Sequence, residues 1–177
     1  MHRIFAGMAT WAVIFMVGEG ILGAFTKRFH PAPVGYNPSL VGWHMALGVF
    51  VGIYVAILQV MVMFHFIGSG KEIKQAIEVV GGDADVVKRL RKMKMQVMPA
   101  ATFAPLLVGA GVILGGGAHT KALGDWAWLH WALSGAGLLL NLWAFPIEYR
   151  CLVANVELLR EVDEKIKREL SPGLYHE

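Results

Sequence analysis

The stretch "WLHWALSG", residues 128–135, sets a histidine near the start of a run that otherwise suits lipid. A second stretch, "WHMALGVF" at residues 43–50, repeats the arrangement of His-x-Ala-Leu followed by a small residue. His44 and His130 thus occupy the same local frame, 86 positions apart. The fold follows from what surrounds them.

Of the 177 residues, 56% are hydrophobic and 16% charged, against about 45–50% and roughly 25% in soluble domains. The apolar residues gather at 4–26, 40–68, 98–115 and 126–145, and a membrane-spanning helix needs roughly 17–25 of them. The pattern predicts one all-α domain over 1–177. It is an integral membrane up-down four-helix bundle with cytoplasmic helical extensions, the last being a tail helix over 147–170. The first apolar block is too long for a signal-peptide core of roughly 7–15 residues, and "ILGAFTKRF" is a poor cleavage site, so it reads as a retained span.

Lys and Arg set the orientation. Lys71, Lys74, Lys88, Arg89, Arg91, Lys92 and Lys94 lie between blocks two and three, and Arg150, Arg160, Lys165, Lys167 and Arg168 lie in the tail. The opposite side has only Lys27, Arg28 and Lys121. Both termini are therefore expected in the cytoplasm of a bacterial or archaeal inner membrane, with Trp43, Trp126, Trp128 and Trp131 at the outer interface. The net charge of +3 is this inside bias and implies no nucleic-acid partner. Cys151, the single cysteine, excludes an internal disulfide, and no Cys-x-x-Cys-His site for covalent haem exists.

A second pair of motifs suggests a repeat. "VGEGILGA" at 17–24 and "VGAGVILG" at 108–115 share a valine, two glycines and an apolar tail. Each precedes an outer loop holding a histidine, His30 or His119, and each loop leads into a His-x-Ala-Leu helix. Both halves run in the same direction, which predicts parallel repeats about an axis along the membrane normal. Helices two and four then lie on a diagonal, with His44 and His130 at one depth, facing each other.

Ionisable groups inside a membrane usually face the bundle interior and serve a function. Three readings compete for the histidines. They are the axial ligands of a haem b, they join His30 and His119 in a copper or zinc site, or they are structural. Haem needs room beside its ligands. Gly48 and Ser134 each lie four residues after a histidine, on the same helical face, and Gly18, Gly20, Gly109 and Gly111 fall at similar depth. Small residues there let helices touch or let a macrocycle enter.

At this point the pattern resembles the membrane-bound b-type cytochromes, which pack haem b inside bundles of about four transmembrane helices, with axial histidines on helices two and four or similar pairs. The resemblance rests on architecture and on the two His-x-Ala-Leu motifs. It implies electron transfer between a quinone pool and a partner. Many such proteins hold a second haem at the inner side. Here that side offers only His65, in "MFHFIG", with no histidine at the matching place in helix four. One haem is therefore expected, with two as the alternative if Met93, Met95 or Met98 were to complete a His-Met pair.

Glu19, about two turns inside helix one, is costly in lipid unless paired or protonated. It is expected to bond a ligand histidine, relay a proton or touch a quinone, or else to bond Thr26, Asn141 or backbone. Gln59 and Asn141 are expected to bond each other. In the inner loop, Asp83 after "GG" is a plausible N-cap. The tail has an apolar stripe at 152, 156, 159, 166 and 170, and Pro146 is expected to kink its junction with helix four. The stripe is expected to pack within the chain, on the membrane or on another subunit. The outer loop "KRFHPAPVGYNPS" is expected either to cap the haem edge, with Lys27 or Arg28 near propionates, or to form a docking surface.

The expectation is a haem b electron-transfer protein, either stand-alone or a membrane subunit of a redox complex or homo-oligomer. The alternatives are a cofactor-free assembly subunit and a copper or zinc membrane protein. No nucleophile–base pair or nucleotide loop points to hydrolytic chemistry, and whether the protein is an enzyme stays open.

Overall fold

The computed structural model describes residues 1–28, 38–120 and 122–170, without the side chains of Lys27, Arg28 and Pro38. Four long helices carry the chain. They are α1 (His2–Arg28), α2 (Pro38–Val79), α3 (Ala84–His119) and α4 (Trp128–Leu170), with a short 3-10 turn at Gly124–Ala127 before α4. There is no strand among the described residues. Helix α1 packs on α2 and α4, and α3 packs on the same two. Helices α2 and α4 also touch each other, whereas α1 and α3 do not.

What faces inward is set by spacing. On α2 the buried positions run Val51, Val55, Leu58, Val62, Phe66, Ser69, Ile73 and Ile77. On α4 they include His130, Gly137, Asn141, Ala144, Glu148, Cys151, Asn155, Leu158 and Val162. From Gly137 onward on α4, steps of four and three alternate, a period near 3.5, while on α2 the steps run 4, 3, 4, 4, 3, 4, 4, a period near 3.7; both keep a seam facing its neighbours over many turns. The outside is apolar as well. Phe64, Phe103, Ile113 and Leu139 are all at least 59% exposed. A contiguous apolar surface of this kind belongs against lipid or a partner.

Three helices are long and apolar enough to cross a membrane: residues 2–26, 39–79 and 84–119. The fourth predicted span, 126–145, does not meet the same standard. Its inward seam holds His130, Ser134 and Asn141, and Trp128, Trp131 and Trp143 further dilute its hydropathy.

Helix α2 has 42 residues and α4 has 43, about 60 Å each at 1.5 Å per residue. A bilayer core of about 30 Å uses only half of that. The remainder of α2, α3 and α4 forms an extension with its own core of Ile73, Ile77, Val86, Leu90, Leu152, Leu158 and Val162. The turn joining α2 to α3 is closed by Gly82 N–H donating to the Ile77 carbonyl at 2.8 Å. Gly81 and Gly82 sit at φ 80° and 85°, the left-handed helix end that glycine allows. Asp83 then caps α3, accepting from the backbone N–H groups of Asp85 and Val86, as its place after "GG" predicts.

The tail settles on this extension, within the chain. Arg89 donates two bonds to Glu161, at 2.8 and 2.7 Å, and Lys165 donates to Asp83 at 2.9 Å. Of the predicted stripe, Leu152, Leu159 and Ile166 pack on the core, but two positions do not. Leu152 is buried, but Val156 and Leu170 are 39% and 60% exposed. Glu148, Cys151, Asn155, Leu158 and Val162 face inward instead. Nor is the tail a separate helix, since α4 runs through Pro146 without interruption to Leu170.

Candidate functional site

Near the outer end of the helices, α2 and α4 bring His44 and His130 together. Their ring centroids are 6.0 Å apart and the rings are inclined at 69°. Both are buried, at 5% and 8% exposure. His130 Nδ1 lies 2.8 Å from the Gly111 carbonyl. A carbonyl only accepts, so Nδ1 carries the proton and Nε2 keeps its lone pair. His44 Nδ1 lies 3.1 Å from Glu19 Oε1, too oblique to close a full hydrogen bond. Nδ1 of each histidine thus faces the helix before it, but only His130 is held there by a hydrogen bond.

The same helices give each ring its space. A Cβ on Gly23 of α1 would come within 2.8 Å of His44 Cε1, and one on Gly115 of α3 within 2.9 Å of His130 Cε1. Real Cβ atoms do not approach so closely, so only glycine lets the two rings lie where they do. Neither glycine stood out in the sequence, since Gly23 and Gly115 fall one position out of step between the two glycine motifs.

Beside the rings is a cavity of about 430 Å³ whose walls include Glu19, Gly20, Gly48, Val112, Gly116, His119, Trp131, Ser134 and Gly135. Its size falls within the roughly 300–1,000 Å³ of small-molecule and cofactor sites. Of the residues expected to line a macrocycle, Gly20, Gly48, Ser134 and Glu19 do so. Gly18 and Gly109 do not, and no side or main chain other than their own helix approaches them. Gly111 is packed against Ser134, where a Cβ would meet Oγ at 2.8 Å. Its role is helix contact and the carbonyl that holds His130.

His119 joins the group. It ends α3, with its ring centroid 5.4 Å from that of His44. No set of three or more His, Cys, Asp or Glu among the described residues is arranged to hold a metal ion. His30, Lys27 and Arg28, with the rest of the outer loop, lie outside the described residues or side chains.

His44 and His130 would be the residues to hold a haem, which would supply one-electron chemistry. An imidazole nitrogen binds a metal at about 2 Å and lies roughly 1 Å from its ring centre, so imidazoles on opposite sides of one ion have centroids on the order of 6 Å apart. The observed separation agrees. Nδ1 of His130 is held by the Gly111 carbonyl, as ligating histidines commonly are, whereas Nδ1 of His44 only approaches Glu19.

A second polar cluster lies deeper. Gln59 Nε2 donates to Asn141 Oδ1 at 3.3 Å, and Asn141 Nδ2 to the Gly137 carbonyl at 2.8 Å. The expected pairing of Gln59 with Asn141 is therefore present. Thr26 bonds the Gly23 carbonyl at 2.7 Å rather than Glu19. Glu148 and Asn155 are fully buried, and neither oxygen of Glu148 has a hydrogen-bond partner. His65 is 21 residues beyond His44 on α2, about 31 Å along the helix. Its ring packs edge-on to Phe66, and its buried Nε2 closes no hydrogen bond. Met95 is 67% exposed and Met93 belongs to the apolar core.

No family model matches the chain, and neither a curated protein nor a solved structure is detectably similar to it.

Proposed function

We propose that the protein is a membrane-embedded haem b electron carrier with His44 and His130 as the axial ligands. The observation that carries this reading is the pair of buried imidazoles, 6.0 Å apart on two contacting helices, His130 fixed through Nδ1 and His44 beside Glu19, each flanked by a glycine. When bound, haem iron accepts and releases one electron. The chain's own part is to orient the rings, keep them dry and exclude competing ligands. Glu19 positions His44, the Gly111 carbonyl positions His130, and His119 covers the outer side.

In this reading α4 crosses the bilayer as a fourth span, its polar seam hidden by α2 and α3. The two halves act as parallel repeats, both termini are cytoplasmic, and the electron partner is a membrane quinone or a redox protein.

The test is haem content. His44→Ala and His130→Ala, purified in detergent from cells with ample haem, should each lose haem while keeping helical circular dichroism. Haem retained in full by both single variants would sink the assignment. Stoichiometric copper or zinc with no Soret band would favour a metal site around His119.

A further inference from the structure

A groove of about 660 Å³ opens at the inner side of α3, lined by Lys74 of α2 and by Arg91, Lys94, Met95, Met98 and Pro99 of α3. Its chemistry is divided. Val87 and Leu90 line one end; three cations follow, and none of them makes an ion pair with another described residue, although acid–base pairs abound elsewhere on the same extension. The other end is apolar, and it begins where the predicted third span begins, at residue 98. Lys94 is drawn inward because position 70 is glycine, and a Cβ there would collide with the Lys94 ammonium. Partial burial, together with the charge of Lys74, pushes the Lys94 ammonium below its ordinary range. Two cations held close together, one of them half-buried, call for an anion.

We propose that this groove binds an anionic phospholipid of the inner leaflet, with its phosphate between Lys74, Arg91 and Lys94 and its acyl chains along Met95, Met98 and Pro99. The inference rests on the membrane placement proposed above. Charge complementarity selects the headgroup, since the cytoplasmic leaflet carries the anionic lipids and basic pockets between helices on that side suit them. The apolar continuation selects a lipid over free phosphate, which would leave Met95 uncovered.

The experiment is native mass spectrometry of the full chain in mild detergent, titrated with phosphatidylglycerol or phosphatidylcholine. Two triple variants are compared at equal net charge. One is Lys74→Gln with Arg91→Gln and Lys94→Gln, and the other is Lys71→Gln with Lys88→Gln and Lys92→Gln, outside the groove. The expected result is selective retention of phosphatidylglycerol by wild type and by the second variant. The groove variant should bind on the order of 100-fold more weakly, and millimolar inorganic phosphate should not displace the lipid. Equal retention by both variants, equal retention of the two lipids, or displacement by phosphate alone would overturn the proposal. Release of the protein from membranes by an alkaline wash without detergent would instead overturn the membrane placement, a separate outcome.

Discussion

Gly23 and Gly115 control where the two imidazoles can lie, and their contacts predict a sharp contrast among glycines of the same two helices. Gly23→Ala or Gly115→Ala should push a histidine ring aside, costing on the order of 1–3 kcal/mol if the helices resist and lowering haem content. Gly18→Ala and Gly109→Ala meet nothing within 4 Å and should leave haem content unchanged. Quantitative haem extraction from the four variants checks this, and equal loss in all four would contradict the packing. Glu19 is a positioning residue for His44, and a carboxylate behind a ligand imidazole raises its basicity. Glu19→Gln should therefore raise the haem midpoint potential in a redox titration, because a less basic ligand favours ferric iron less. An unchanged potential would remove Glu19 from the site.

Helix α4 shows which features of the elements were legible in the sequence and which were not. Its existence and length follow from composition, but its inward face does not. Counting apolar residues places the tail stripe at 152, 156, 159, 166 and 170, whereas the buried seam is made largely of small and polar residues, among them Gly137, Asn141, Glu148 and Asn155. In lipid the outer face is as apolar as the core, so hydrophobicity does not mark the inside, and small and polar residues do. The two histidines were legible because a polar side chain in an apolar run is conspicuous. Their glycine cradles were not, because twenty-one glycines offer too many candidates without three-dimensional contacts. Glu148 carries a further consequence. Gln59 is near enough to interact with it, yet the carboxylate closes no hydrogen bond. An unsatisfied buried group costs about 1–3 kcal/mol, so Glu148→Gln should raise the thermal midpoint, and a fall would show that the carboxylate is paired.

The inner extension is governed by exposed charge. Lys165 holds the Asp83 carboxyl below its ordinary range and Arg89 does the same for Glu161. A carboxylate lowered on folding contributes its full stabilisation above its unfolded value, about 4. That contribution is lost as pH falls through the lower folded value. Hydrogen exchange should therefore quicken in acid first at the inner ends of α3 and α4. Protection there that holds unchanged well below pH 4 would contradict this.

At the scale of the whole molecule, the proposed four crossings would place the α2–α3 turn and the end of α4 on one side and the start of α4 on the other. With Cys151→Ser as background, cysteines placed at Val79, Glu164 and Thr120 can be labelled by an impermeant maleimide in oriented vesicles. The first two should react from one side and the third from the opposite side. If Thr120 and Glu164 react from the same side, α4 does not cross. The three helices long and apolar enough to span were legible as apolar blocks in the sequence, whereas the polar seam of α4 keeps it from meeting the same standard.

The central claim is that two imidazoles of one chain share a single haem. The most direct measurement is a reduced-minus-oxidised absorption spectrum of the purified full chain, with a pyridine haemochrome assay for stoichiometry. The account predicts a b-type spectrum at about one haem per chain, low-spin as expected of two strong nitrogen ligands. A colourless protein from cells with ample haem, or a haem retained in full when His44 and His130 are both replaced, would contradict it.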